Sequence, residues 1–309
     1  MQSSKCAAFW NHTNIRGDNR IFPCCRFKTP IMDFQGSVSE ILFHKSYQDL
    51  RMQSSSNQHI PGCEKCYHEE SIGKKSLRQE FNENYTTDEV ALKYLEIGFD
   101  NICNLTCDGC WEDFSSAWAK EKKLDKHLII KKTKEVKDVP ETISKVLFLG
   151  GEPLMTMRHY KFLQSVTNKS QVEIIYNTNG TFLLSEEVIS ILKLFQSVKF
   201  ILSIDGYGQL NETVRRGSQW SDIISFIEQI KNLRFNLEVN TVLHINNWRG
   251  LIELESFIAE QQLPWFVNIL TYPAHLDIRN IEQKTELLDL LKTIKYKDLT
   301  FVANHVERS

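Results

Sequence analysis

From about Tyr94 onward, the hydrophobic positions fall into short apolar runs that alternate with longer amphipathic stretches. The apolar runs have the length of buried strands, and the longer stretches repeat their apolar residues at helical spacing. The pattern predicts six strands, at residues 94–102, 145–149, 172–177, 199–204, 235–243 and 265–270. It predicts six helices, at residues 114–123, 158–167, 185–195, 221–232, 251–261 and 281–294.

This alternation of strand and helix is typical of parallel strands joined by right-handed crossovers. Six such units predict an α/β fold, a partial (β/α)6 barrel related to the TIM barrel, over residues 89–296. A complete eight-unit barrel typically needs about 250 residues, more than remain after Tyr94. Residues 297–309 are predicted to form a C-terminal tail.

The first part of the chain follows a different pattern. Residues 1–88 are rich in Ser, Asn and Gln, show weak periodicity and contain five of the eight cysteines. A region this small usually needs a disulfide or a metal site to support its core. We therefore expect residues 1–88 to form a small cysteine-rich domain ahead of the barrel.

Composition and charge exclude several classes of protein. Hydrophobic residues make up 41% of the chain and charged residues 25%, with a formal net charge of -2. These values are ordinary for a soluble globular protein and favour neither nucleic acid nor an anionic membrane as a partner. The sequence contains no apolar run of membrane-spanning length and no signal-peptide core. We expect a cytoplasmic protein without disulfides.

The eight cysteines all lie in the first 110 residues, which favours metal ligation over scattered core positions. Cys103, Cys107 and Cys110 have the spacing C-x3-C-x2-C and follow a predicted strand. Loops at the carboxyl ends of barrel strands build the active site. Three thiolates can hold three irons of a 4Fe–4S cluster and leave the fourth iron open. Zinc is the competing metal, but a structural zinc site needs a fourth ligand.

This segment resembles the radical S-adenosylmethionine (SAM) superfamily, in which the open iron is chelated by the amino and carboxylate groups of the cofactor. The usual family motif has an aromatic residue just before the last cysteine. Here that position is Gly109, and Trp111 follows the last cysteine. The departure leaves the three ligands intact.

Polar residues at later strand ends extend the resemblance. Gly150, Gly151, Glu152 and Pro153 follow the second strand and are similar to the family motif that binds the amino group of S-adenosylmethionine. The resemblance implies further cofactor contacts at Asn177, Ser203, Asp205 and Arg215. Arg215 is expected to bind the methionine carboxylate, with its neighbour Arg216 as the rival for that role.

The other cysteines resemble those of twitch and SPASM modules, small auxiliary-cluster domains that usually follow the barrel. The resemblance implies one auxiliary 4Fe–4S cluster held by Cys6, Cys24, Cys63 and Cys66. Cys24 and Cys25 can exchange roles, and zinc is the alternative metal at this site. Cys25 is otherwise a candidate hydrogen-atom donor at the barrel mouth or a small buried hydrophobic residue.

The resemblance implies an enzyme with two 4Fe–4S clusters that cleaves S-adenosylmethionine reductively and takes a hydrogen atom from a substrate. The electron donor would be a flavodoxin- or ferredoxin-type protein. The favoured reaction is the oxidation or dehydrogenation of a small molecule, and radical modification of a ribosomally made peptide is the alternative. A hypothesis of another class is a non-catalytic zinc-binding interaction protein.

Overall fold

The computed structural model describes residues 5–56 and 58–307. Two sheets are present in this part of the chain. Their strands, numbered in chain order, are β1 (His12–Ile15), β2 (Arg20–Phe22), β3 (Met32–Asp33), β4 (Tyr94–Gly98), β5 (Thr106–Cys107), β6 (Lys145–Leu149), β7 (Glu173–Thr178), β8 (Ser197–Ser203), β9 (Arg215–Arg216), β10 (Asn236–Leu243) and β11 (Trp265–Ile269).

The larger sheet has nine strands in the order β11-β10-β8-β7-β6-β4-β1-β2-β3. Every neighbouring pair from β11 to β1 is parallel, and β2 and β3 add an antiparallel edge. The six predicted strands are therefore confirmed as the parallel sheet of a partial barrel. The sequence pattern did not predict β1, which adds a seventh parallel strand beside β4.

Helices cover much of the remaining chain. They are α1 (Ala8–Asn11), α2 (Lys45–Ser55), α3 (Glu64–Ser71), α4 (Leu77–Asn84), α5 (Ser116–Glu121), α6 (Lys126–Ile129), α7 (Arg158–Ser165), α8 (Glu186–Leu192), α10 (Trp220–Asn232), α11 (Leu251–Gln261), α12 (Lys284–Thr293) and α13 (Thr300–Glu307), with the short α9 (Gln209–Val214) before β9. Each of the six predicted helices is confirmed, and most are a few residues shorter than expected. Ser185 caps α8 by accepting a hydrogen bond from the backbone N–H of Val188.

Aromatic side chains hold the central strands in register. Phe148, Tyr176 and Phe200 lie opposite one another on β6, β7 and β8. The ring centroids of Phe148 and Tyr176 are 4.8 Å apart, and those of Tyr176 and Phe200 are 5.1 Å apart. Since a slip of one residue would turn these rings away from the core, their packing specifies the register. The carboxyl ends of the strands are thereby aligned along one edge.

The N-terminal segment contacts both edges of the parallel sheet. At one edge, β1 pairs with β4. At the other edge, Lys74 donates a hydrogen bond of 2.6 Å to the side chain of Asn268 on β11. Sheet pairing thus crosses the predicted domain boundary at residues 88 and 89, and the division into two domains stays a prediction.

The predicted C-terminal tail contains helix α13. This helix packs against the N-terminal segment, where His68 and His305 hydrogen-bond through Nε2 and Nδ1 at 2.9 Å. Val302 and Val306 of α13 are buried in the main core. In residues 5–56 and 58–307, no helix combines the length and the apolar character needed to span a bilayer.

Candidate active site

A cavity of about 220 Å³ lies at the carboxyl ends of the central strands. It is called the cysteine cavity here because three cysteines line it. Of the residues predicted from the sequence, it brings together Cys103, Cys107, Cys110, Gly150, Gly151, Asn177, Ser203, Asp205 and Arg215. These residues are far apart in sequence but lie close together in space, because parallel strands end at the same edge of the sheet.

The cysteine loop is held by the beginning of helix α5. The backbone N–H of Cys103 donates to the hydroxyl of Ser116, and the indole N–H of Trp118 donates to the carbonyl of Cys107 at 3.0 Å. These bonds use the backbone of the loop and leave the thiols for the cavity. Burial raises the pKa of Cys107 to about 11 and that of Cys110 to about 12. A metal that binds here must therefore displace thiol protons.

A two-stranded ribbon ties this loop to a second one. Strand β5 pairs with β9, so that Cys107 lies opposite Arg215 and Thr106 opposite Arg216. Gly217 follows with φ +97°, a conformation that favours glycine, and lies beside the carbonyl of Asn104. The ribbon thereby places an arginine next to the thiols.

Arg215 and Arg216 point to different environments. Arg215 lines the cavity and donates to Asp205 at 2.7 Å, with side chains only 13% and 8% exposed. Burial opposes its charge, but Cys107 and Asp205 nearby raise the pKa of Arg215 above its usual value. Arg216 instead pairs with Glu121 at 3.1 Å, and both side chains are about half exposed.

One donor of Arg215 has no partner in this arrangement. Its Nε is buried and makes no hydrogen bond to any of the described residues. An unpaired buried donor is costly, and a bound carboxylate would satisfy it. The cavity thus contains a cationic group with free hydrogen-bonding capacity beside three thiols.

The glycines after β6 are required by a close approach of two backbones. A Cβ on Gly151 would lie 2.1 Å from the carbonyl oxygen of Ile102, and one on Gly150 would lie 2.5 Å from that of Asp100. The N–H of Gly151 donates to Asp100, and the next N–H donates to Ile102 at 2.7 Å. The two glycines therefore fix the segment that leads into Cys103.

Glu152 and Pro153 are absent from the lining of the cysteine cavity. Glu152 is 1% exposed and accepts hydrogen bonds from the hydroxyl of Thr178 and from the N–H groups of Leu154 and Asn179. Burial raises the pKa of Glu152 although these bonds oppose the shift. Its carboxylate joins the β6 and β7 loops, and its contact with an amino group stays a prediction.

Among the other strand-end residues, Asn177 accepts a hydrogen bond of 3.4 Å from Ser203. Asn179 and His244 also line the cavity and were not predicted from the sequence. Asn179 reaches the cysteine loop through a 3.0 Å hydrogen bond to the side chain of Asn104. Asn179 and His244 each come directly after a strand, which is the signal that could have identified them.

The second group of predicted ligands lies around another, much smaller cavity. Cys6, Cys24, Cys63 and Cys66 line a space of about 10 Å³ together with apolar side chains, Arg26 and Arg78. In the described part of the chain, no three Cys, His, Asp or Glu side chains are close enough together to hold a single metal ion. The structure thus brings the four thiols to one place without a preformed single-ion site.

Cys25 lines neither of these two cavities. It lines a pocket of about 400 Å³ at the ends of β1, β4, β6 and β7, called the mouth pocket here. Gly150, Asn177 and Phe114 line both this pocket and the cysteine cavity, so the two spaces adjoin. Cys25 is also close to Glu96, a buried carboxylate that accepts a 2.8 Å hydrogen bond from Asn14.

Comparisons with known proteins concern the family of the chain. Residues 97–258, which are just over half of the chain, match the family model of the radical SAM superfamily. The GTP 3',8-cyclase of Campylobacter lari is 26% identical over 209 residues, which cover 65% of this chain and 62% of that relative. The chain therefore spans less than two thirds of the relative's length.

Solved structures similar to the chain include native anSMEcpe with bound AdoMet, with a TM-score of 0.49 and 17% identity, covering 65% of this chain and 58% of that one. Another is SuiB of Streptococcus suis bound to S-adenosylmethionine, with a TM-score of 0.44 and 15% identity, covering 81% and 49%.

Proposed function

The chain belongs to the radical SAM superfamily, and on this basis we propose that it cleaves S-adenosylmethionine at the cysteine cavity and acts on a substrate in the mouth pocket. The observation that carries the proposal is the lining of one cavity by three thiols and a buried arginine. Three thiols suit a cluster with one open iron, because fully protein-held clusters of this size use four ligands.

The residues present fit both groups. Cys103, Cys107 and Cys110 would hold three irons, and the free Nε of Arg215 suits the methionine carboxylate. Asn177 and Ser203 would contact the polar part of the cofactor, and Asp205 keeps Arg215 in place. When bound, the cluster and cofactor supply a 5′-deoxyadenosyl radical that takes a hydrogen atom from the substrate, and the protein positions and shields the reacting groups.

We extend the proposal to the second cysteine group. Cys6, Cys24, Cys63 and Cys66 would hold an auxiliary 4Fe–4S cluster in a twitch-like region, because they line one cavity and supply four thiols. Zinc is the competing metal, because structural zinc sites also use four thiolates, but the four thiols would have to move closer together to hold a single ion. An electron donor of the flavodoxin or ferredoxin type would supply the electron at the first cluster.

The favoured reaction is dehydrogenation of a small molecule. The mouth pocket has a volume of about 400 Å³, within the range of small-molecule sites. Adjacent residues also connect the two regions, since Cys24 lines the auxiliary cavity and Cys25 lines the mouth pocket. This proximity supports electron uptake from the substrate at the auxiliary site. A ribosomally made peptide is the alternative substrate.

The test measures iron and cofactor cleavage in anaerobically reconstituted protein. A variant with alanine at Cys103, Cys107 and Cys110 should lose S-adenosylmethionine cleavage and keep about four irons per chain, the content of one cluster. The matched variant has alanine at the four auxiliary cysteines and should keep the other cluster, again about four irons.

The outcomes separate the two parts of the proposal. If 5′-deoxyadenosine still forms with dithionite in the triple variant, the active-site assignment is wrong. If the triple variant contains zinc and no iron, the auxiliary-cluster assignment is wrong while the active site stands.

A further inference from the structure

The mouth pocket is lined by several charged side chains, and nearly all of them have partners. Asp18 accepts hydrogen bonds from Arg20, and Lys28 lies 3.4 Å from Glu64. Asp113 pairs with Lys131, while Asp100 accepts from the N–H of Ile102 and the hydroxyl of Thr156. Arg16 differs: within residues 5–56 and 58–307, its guanidinium makes no ion pair and no hydrogen bond.

The guanidinium of Arg16 is held by aromatic rings instead. It lies 3.6 Å above the ring centroid of Phe22, with the ring of Phe114 at 5.5 Å. Stacking uses the flat face of the group and leaves its N–H donors, which lie in the plane, available for an acceptor. The half-buried group keeps its charge because arginine does not lose its proton in proteins.

A second polar atom near this position lacks a partner. Asn14 also lines the mouth pocket and is 2% exposed. Its amide N–H donates to the carboxylate of Glu96, which fixes the orientation of the amide, and its Oδ1 has no hydrogen-bond partner among the described residues. Asn14 lies on β1, Arg16 directly follows the last residue of that strand, and both side chains line the mouth pocket.

We propose that the mouth pocket binds a substrate through an oxyanion group, a carboxylate or a phosphate, held by the guanidinium of Arg16. The planar fork of N–H donors matches such a group, and a nearby donor on the ligand would also satisfy Asn14. This inference rests on the proposed function, which places the substrate in the mouth pocket. The carboxylate of S-adenosylmethionine is a different anion, because Arg215 lines the cysteine cavity and Arg16 does not.

The competing explanation is that Arg16 only packs against Phe22 and Phe114. Probe binding to reconstituted protein saturated with S-adenosylmethionine, without reductant, separates the two explanations. The probes are methyl phosphate, N-acetylglycine and the neutral N-acetylglycinamide, with dissociation constants measured by calorimetry. Phosphate and carboxylate are thereby compared against an uncharged ligand of similar size.

At least one anion should bind about ten- to a hundred-fold more tightly than the amide, the gain of a charge-assisted hydrogen bond. Arg16→Gln should remove this preference, and Arg16→Lys should keep part of it because the charge remains. Arg249→Gln is the matched control. Arg249 also stacks on an aromatic ring, at 4.3 Å over Trp248, and pairs with Glu286 outside the pocket.

Three results would overturn the inference: no anion binding to the wild-type protein below about 10 mM, equal binding of the amide, or full anion preference in folded Arg16→Gln protein. Cofactor cleavage with dithionite is measured on the same samples. If cleavage is intact and anion preference is absent, only this inference fails. If anion preference is intact and cleavage is absent, only the proposed function fails.

Discussion

Replacing Arg215 by glutamine tests the cofactor site most directly. Arg215 and Asp205 form an ion pair whose side chains are 13% and 8% exposed, so water screens it little. Removing one partner of a buried pair typically costs about 3–5 kcal/mol, because the remaining charge stays buried. Asp205 still accepts a hydrogen bond from the N–H of Val242 in this variant. Because its charge keeps this partner, we expect a loss of stability at the lower end of the range, about 3 kcal/mol.

The same substitution removes the cationic fork from the cysteine cavity. Loss of a charge-assisted hydrogen bond to the cofactor carboxylate should weaken S-adenosylmethionine binding about ten- to a hundred-fold. The affinity of Arg215→Lys for S-adenosylmethionine should lie between those of the wild-type protein and Arg215→Gln, because lysine keeps the charge without the planar fork. Iron content should stay unchanged in both variants.

The matched control is Arg216→Gln, one residue along the chain. Its ion pair with Glu121 is about half exposed on both sides, and such pairs contribute roughly 0–1 kcal/mol. Urea unfolding of the metal-free proteins measures the loss of stability, and equilibrium dialysis of the reconstituted proteins measures cofactor affinity. Equal cofactor affinity in the Arg215→Gln and Arg216→Gln variants would refute the reasoning.

Two further predictions concern the turn after β6 and a buried histidine. Gly151→Ala puts a Cβ 2.1 Å from the carbonyl oxygen of Ile102, so the cysteine loop must shift. The folded variant should bind about four fewer irons, and full iron content would contradict this. Burial lowers the pKa of His159 to about 4. Because the unfolded chain takes up this proton near pH 6.5, the contribution of His159 to the unfolding free energy should fall by about 3 kcal/mol between pH 7 and pH 4. Urea unfolding at pH 7 and pH 4 measures this change in free energy. The change should be smaller in His159→Gln than in the wild-type protein, whereas the exposed control His127→Gln should match the wild type. Equal changes in all three proteins would exclude the effect.

Much of the architecture was predictable because it depends on local patterns. Apolar runs and helical spacing identified six strands and six helices, and each is present, most of them with shifted ends. The C-x3-C-x2-C spacing identified the three thiols of the cavity, and the family resemblance implied six further residues of its lining. Such features are visible in the sequence because strand alternation and loop position follow from neighbours along the chain.

Long-range pairing decided the rest. The four-residue strand β1 is too short to give a periodic signal, and its pairing with β4 joins segments about 80 residues apart. Long-range contacts also decide why neighbouring residues have different environments. Arg215 lines the cavity while Arg216 lies at the surface, and Cys24 and Cys25 line different spaces.

The sequence alone therefore determined the class of fold, the order of the units and the residue types available for chemistry. The tertiary structure decided which of those side chains meet. Glu152 illustrates the difference: its resemblance to a family motif predicts a cofactor contact, and the structure shows which protein groups donate to its carboxylate, namely Leu154, Thr178 and Asn179. Adjacent residues on a strand or ribbon point to opposite sides, so a chain position does not specify an environment until its partners from distant segments are in place.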